Sequence, residues 1–224
     1  MIHLLTTLCM SPGALPEPAA PKAVGDRLVD LKKCIGYLEK TGNLVRVKTE
    51  VDAKYELAGI AKKYEGKKCV LFEKVKGSKF PVFMGLLWNR ETVGRIFNVP
   101  KEKVPFVIGA AIGAWRKDKS ALASRVLAKG PANEVIITKD FDLYSLPAPV
   151  HAMKDGGPYF DSSVVVVNDP ETGIPNISIH RMMITGKDRL TFLIDPGRHL
   201  GAYLDIMKKK GKPLEVTINN GVGL

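Results

Sequence analysis

The stretch Pro175-Asn176-Ile177-Ser178-Ile179-His180-Arg181 gathers residue types that bind anions and metals, and it alternates polar with apolar. As a strand, it puts Asn176, Ser178 and His180 on one face and Ile177, Ile179 and Arg181 on the other. An arginine on an apolar face is costly to bury without a carboxylate or phosphate partner. Arg181 therefore points to an anion or electron-rich ligand against that face, or to an edge position from which the guanidinium reaches water. The pattern alone leaves both readings open.

A second group stands at Asp195-Pro196-Gly197-Arg198-His199, where a turn opens a helix. Free N–H groups at a helix start, together with the helix dipole, attract anions, and Arg198 would add a forked contact. A surface turn in which His199 merely begins the helix is the plainer alternative. Asn176 with His199 makes only half a hard-cation site, because an octahedral centre needs further oxygen ligands and no carboxylate run lies nearby. Ser145 and Ser178 lack the nucleophile elbow of a hydrolase. The glycine-rich stretches Asp155-Gly156-Gly157-Pro158 and Asn220-Gly221-Val222-Gly223 match neither the P-loop nor the dinucleotide fingerprint. Asp155, Asp161 and Asp169 fall in turn-like segments, where solvated carboxylates are expected and none is placed opposite Arg181.

The elements that must position these residues follow from periodicity. Residues 1–25, with Pro12, Pro16, Pro18 and Pro21, form an extended leader. Residues 26–130 make an α/β domain. Its first helix is capped by Asp26, carries Leu28, Leu31, Ile35 and Leu38, and stops at Gly42. Further helices are expected at Tyr55–Tyr64, after Asn89 to a stop at Pro100, at Lys101–Ile112 and at Lys119–Ala128, with strands from Leu44, at Val70–Phe72 and at Val82–Leu87. From residue 131 to 224 the character changes to β-branched runs at Val135–Thr138, Ser162–Val167, Ile177–Thr185, Leu190–Ile194 and Leu214–Ile218, interrupted by one helix, His199–Lys210. Pro170 and Gly173 close a hairpin between the second and third runs. The expected fold class is α+β, ending in antiparallel sheet that forms a barrel.

Composition narrows the class of protein further. The 224 residues are 45% hydrophobic and 25% charged, ordinary for a globular chain. Lys and Arg number 34 against 23 Asp and Glu, a formal charge of +11 that favours anionic partners. The lysines sit in helix faces such as Lys32 and Lys33, Lys62 and Lys63, and Lys208 to Lys210, without an arginine tract or interleaved aromatics, which favours solvated surface over nucleic-acid binding. Cys9, Cys34 and Cys69 are odd in number and lack metal-finger spacing, so neither a disulfide framework nor a zinc site is encoded and a cytoplasmic location is expected. Ile2 to Met10 lacks a basic n-region, Leu8 argues against lipidation of Cys9, and no run reaches the ~18 apolar residues of a membrane span.

The succession Asp142-Leu143-Tyr144-Ser145-Leu146-Pro147, Asp155-Gly156-Gly157-Pro158-Tyr159, Asp169-Pro170-Glu171-Thr172-Gly173, Asn176 to Arg181, Arg198-His199 and Gly211-Lys212-Pro213-Leu214-Glu215-Val216 resembles the UbiD-like decarboxylase family. The resemblance is specific over residues 140–218, and over 26–130 it is one of layout. It implies that residues 131–224 are the first part of a flavin-type split β-barrel holding prenylated FMN. A divalent metal, manganese, with potassium as a further cation, would tie the cofactor phosphate to the protein. Such enzymes add or remove CO₂ on aromatic or α,β-unsaturated acids. By position, Asn176 and His199 would be metal ligands, Ile177, Ser178, Ile179, His180, Arg181 and Arg198 would line the cofactor, and Arg181 would face inward at the reacting centre. Asn176, Ile179, Arg181, Arg198 and His199 would converge on one cleft.

The family pattern also calls for a metal-binding Glu and acid/base carboxylates downstream of the last strand, beyond Leu224, and for dimer contacts. The expectation is therefore the N-terminal half or a separately encoded subunit of a homo-oligomeric carboxy-lyase, inactive alone. A non-catalytic flavin-binding module is the alternative, and a basic nucleic-acid-binding protein a remote one.

Overall fold

The computed structural model describes residues 30–118, 120, 128, 130 and 134–223. Helix α1 (Leu31–Lys40) is capped by Asp30, whose carboxylate accepts from the N–H groups of Lys32 and Lys33. The expected cap, Asp26, lies outside the described residues, and Asp30 supplies the same chemistry one turn later. Gly42, at a φ of +70°, ends the turn that follows.

Strand β1 (Leu44–Val47) runs parallel to β2 (Cys69–Phe72), with α2 (Glu56–Tyr64) as the crossover; β3 (Val82–Met84) pairs antiparallel on the other side of β2. Central β2 is buried at all four residues, as its unbroken apolar run requires. Leu57, Ala61, Val70 and Phe72 fill one side, and Cys34, Leu38, Cys69 and Ile96 the other. The third strand ends before Leu87 because Gly85, at a φ of +95°, turns the chain under Trp88, whose ring leaves no room for a Cβ.

Helix α3 (Arg90–Phe97) is capped by Asn89 as expected and closes at left-handed Asn98, before Pro100. A single 3₁₀ turn, Lys101–Lys103, leads into α4 (Val104–Lys117), which outruns the expected Ile112. The helix expected at Lys119–Ala128 falls almost wholly outside the described residues. Val135–Thr138 is not a strand; its four β-branched residues are exposed, since such a run forms a strand only where a neighbour completes the ladder. The segment that follows docks on the first region. Tyr55 N–H donates to the Val150 carbonyl, Val150 N–H to that of Ala53, and the Ser78 hydroxyl to that of Ser145.

The second sheet is wholly antiparallel: β4 (Tyr159–Asn168) and β5 (Pro175–Gly186) form a long hairpin, flanked by β6 (Arg189–Thr191) on β5 and β7 (Thr217–Asn219) on β4. Asp169 accepts from the N–H groups of Glu171 and Thr172 and Gly173 takes a φ of +72°, which is the hairpin chemistry expected of that turn. The outer strands are shorter than expected, and the order β6-β5-β4-β7 is open, so the described strands make a sheet and not a closed barrel. Helix α5 (His199–Lys209) starts at the residue expected. Gly201 lets it approach the preceding turn, where a Cβ would lie 2.5 Å from the Asp195 carbonyl oxygen. No described helix is long and apolar enough to cross a membrane.

Candidate functional site

The β4–β5 ladder breaks at one place. Phe160 pairs with Met182 and Ser163 with His180, so Asp161 and Ser162 together oppose Arg181. Such a bulge adds local twist and re-aims side chains. Here Arg181 Nε donates to Asp161 Oδ1 at 3.2 Å, and the guanidinium carbon stands 4.5 Å from the centre of the Tyr159 ring, a cation–π distance. The other Asp161 oxygen lies 3.1 Å from His151 Nε2. Asp155 sits 3.8 Å from Arg181 Nη2 and accepts from the backbone N–H groups of His151 and Ala152, both at 3.0 Å.

The two aspartates titrate in opposite directions. Burial pushes the Asp161 carboxyl above the usual range, against the pull of His151 and Arg181. Asp155 is held below it, first by the Ala152 N–H and then by the His151 N–H and the Arg181 charge. These residues correct the reading of Asp155 and Asp161 as solvated turn carboxylates away from Arg181. Asp161 lies in a strand; regular pairing counted from the hairpin turn would set Ser162 opposite Arg181, and the bulge brings Asp161 there as well. His151 and Tyr159 carried no comparable signal.

The orientation of the strand is corrected too. Alternation separates the residues as expected, but the Ile177, Ile179 and Arg181 face is the open one: Ile177 is 68% exposed, Ile179 66% and the Arg181 side chain 55%. The core of this sheet takes Val165, Val167, Met182 and Ile184, which share the face of Asn176, Ser178 and His180. On the open face an irregular cleft of about 390 Å³ is lined by Tyr159, Arg181, Met183, Thr191, Phe192 and Leu193. Of the five residues expected to converge on one cleft, Asn176, Ile179, Arg181, Arg198 and His199, only Arg181 lines it: alternation turns Asn176 to the other face, Ile179 shares the open face without reaching the cleft, and Arg198 and His199 stand at the start of α5.

Asn176 and His199 do meet. His199 Nδ1 lies 2.9 Å from Asn176 Oδ1; the amide oxygen accepts, so Nδ1 is the donor. The His199 ring stacks on Tyr203, whose hydroxyl stands near the Asp169 carboxylate of the hairpin turn and is held above its ordinary pKa first by burial and then by that charge. His180 Nε2 is 2.9 Å from Ser178 Oγ and its ring meets Phe192 edge-on. Arg198 is exposed and pairs with Asp195 at 3.5 Å. Five residues of strand, about 16 Å at ~3.3 Å per residue, separate Asn176 from Arg181. Among the described residues no cluster of three or more His, Cys, Asp or Glu could by itself hold a metal ion.

Fold and site thus define a mixed α/β protein whose second sheet carries, on its open face, an arginine held beside two aspartates. Sequence models of two domains of one family match it: the 3-octaprenyl-4-hydroxybenzoate carboxy-lyase N-terminal domain over residues 35–112 and the Rift-related domain of the same enzyme over residues 125–223. The chain belongs to this family, the UbiD family. It is 49% identical over 197 residues to an uncharacterised protein from the cooM 5′ region of Rhodospirillum rubrum, covering 88% of this chain and 42% of that one. With the anhydromevalonate phosphate decarboxylase of Methanosarcina mazei it shares 36% identity over 82% of this chain and 40% of the relative. Among solved structures, the evolved dimeric form of the UbiD-class enzyme HmfF from Pelotomaculum thermopropionicum, in complex with prFMN, superposes with a TM-score of 0.76 at 36% identity, covering 87% of this chain and 44% of that one. The chain spans about two fifths of the length of the curated relatives it matches.

Proposed function

We propose that the chain is the cofactor-holding part of a UbiD-type carboxy-lyase acting on aromatic or α,β-unsaturated acids, with prenylated FMN and a divalent metal, manganese. The observation that carries this reading is the Asn176–His199 contact at one end of β5 and Arg181 in an apolar, aromatic cleft further along the same strand. The donor set suits the group: an amide oxygen and an imidazole nitrogen complement phosphate oxygens around a divalent cation. Asn176 and His199 would hold the metal, Ile177, Ser178, Ile179, His180 and Arg198 would flank the cofactor, and Ile177 and Ile179 would bury their exposed faces on its ring. The second sheet is then the first part of a split β-barrel, in a cytoplasmic homo-oligomer.

When bound, the modified flavin supplies the electron sink for loss of CO₂. Arg181 binds the substrate carboxylate and stabilises negative charge as the bond to CO₂ breaks. Tyr159, Met183, Phe192 and Leu193 exclude water, which strengthens that interaction. The product carbon must then be protonated. Asp155 and Asp161 are engaged with Arg181, so the acid is a carboxylate from the part of the relatives' length that this chain does not span. The +11 charge suits a phosphate-bearing cofactor and an acid substrate.

The test adds prenylated FMN and manganese to the full chain, with and without the remaining part of a relative supplied in trans. The expected result is weak flavin binding by the chain alone, because the family pattern draws a metal-binding Glu from beyond it, with tight retention and CO₂ release only in the mixture and loss of that release in Arg181→Ala. Failure of the mixture to retain flavin would overturn the reading; retention without CO₂ release in the mixture would favour a non-catalytic flavin module.

A further inference from the structure

We infer that His151 and Asp161 are a positioning pair for Arg181, fixing the guanidinium at Nε so that its two Nη groups are left to receive a substrate carboxylate. This rests on the cleft being a carboxylate site, and nothing in the sequence motifs assigned a role to either residue. Four observations support it independently of one another.

The first is the bulge, which spends an extra residue opposite Arg181 and brings Asp161 onto its Nε at 3.2 Å. The second is the economy of donors. Among the described residues neither Nη group makes a hydrogen bond, and Asp155, at 3.8 Å, is too far for one. An arginine held at Nε presents its Nη edge already oriented, so a carboxylate meets a fork whose rotamer freedom has been removed.

The third is the state of His151. Its Nδ1 is buried and has no partner among the described residues, so it carries a lone pair, since a buried unpaired N–H is costly. The proton is then on Nε2, which donates to Asp161 Oδ2 at 3.1 Å. Donation from one side and from Arg181 on the other fixes both oxygens of Asp161. The fourth is the anchoring of His151 itself. Its backbone N–H is held by Asp155, and the following glycines bring that turn onto β5, where a Cβ on Gly156 would stand 3.0 Å from Met183 Sδ. Tyr159 supports the guanidinium from its face.

The experiment uses the full chain, ¹⁵N-labelled and without ligand, and follows the Arg181 Nε–H resonance, assigned by its loss in Arg181→Lys. Exchange of this proton with water should be about tenfold slower than that of exposed Arg198. Asp161→Ala should raise it to the Arg198 rate. His151→Leu should raise it severalfold, while His151→Gln, which keeps a donor near the Nε2 position, should restore it. Benzoate, the carboxylate probe, should then shift the Arg181 Nη signals and bind about tenfold more weakly to Asp161→Ala and His151→Leu, with His151→Gln close to the parent chain. Nε–H exchange unaltered in Asp161→Ala, or equal effects of His151→Leu and His151→Gln, would overturn the pair. Slow Nε–H exchange with no benzoate response in the parent chain would instead sink the carboxylate reading of the cleft and leave the Nε grip standing.

Discussion

The two sheets use their apolar residues differently. In the first, every residue of β2 is buried between packed side chains from both layers. In the second, β5 buries Met182 and Ile184 on one face and leaves Ile177 and Ile179 about two-thirds exposed on the other. A β-branched residue kept in water adds little to folding, so Ile177 and Ile179 contribute less to stability than the buried residues of β2. The first sheet is a structural core, and the second is a half-finished surface.

Truncation at the centre of the first core should give the largest effect. Phe72→Ala is expected to cost about 3–5 kcal/mol, read by denaturant unfolding followed through Trp88, which packs on the same cluster. A loss under about 1 kcal/mol, the size of an ordinary substitution, would erase the contrast between the sheets. Gly201→Ala comes next, at about 1–3 kcal/mol, because the new methyl meets backbone and not a flexible side chain. It should also break the His199–Asn176 contact, visible as altered His199 ring resonances. Asp30→Ala removes two accepted N–H bonds at the start of α1 and should cost about 1 kcal/mol. The double change Ile177→Ser with Ile179→Ser should stay within about 0.5 kcal/mol of the parent, yet weaken flavin retention severalfold.

The smallest global effect is one of pH. Asp155 has a depressed folded pKa, so its hold on the Ala152 and His151 amides is complete above the ordinary aspartate value and is lost as pH falls through the depressed one. Asp161, raised by burial, runs the other way. Its contribution to stability is present below its unfolded value and is lost as pH rises through the folded one. On acidification Asp161 therefore takes up its proton first. The Arg181 Nε–H signal should broaden at a higher pH than the one at which the Ala152 amide loses protection from exchange. Simultaneous loss of both would mean that the two carboxylates are one electrostatic unit.

Most helices and strands were legible because their apolar periodicity agrees with their caps: Asn89 before α3, Gly42 after α1, Gly173 in the hairpin and His199 at the start of α5. Where a propensity had no partner, as at Val135–Ile137, the sequence misled. The site divides in the same way. Arg181, Asn176 and His199 stand in recognisable motifs, and alternation predicted which of them share a face. It could not say which face is covered, because that depends on what packs against the sheet. Nor could it place Asp161, since a bulge is a property of two strands in register and leaves no mark in either one alone.

The run Val164-Val165-Val166-Val167 has a consequence for how the second sheet finds its alignment. Val165 and Val167 are buried while Val164 and Val166 lie on the open face, but all four carry the same side chain. A slip of one residue, which normally turns a strand's apolar set out to water, would here exchange valine for valine. The hydrophobic code is degenerate over this stretch, and phase must be written by its punctuation. Ser163, fully buried with its hydroxyl on Asn220, marks one end, and the turn that begins at Asp169 marks the other. Polar residues, not the greasy ones between them, thus keep the count that brings Arg181 to its partners.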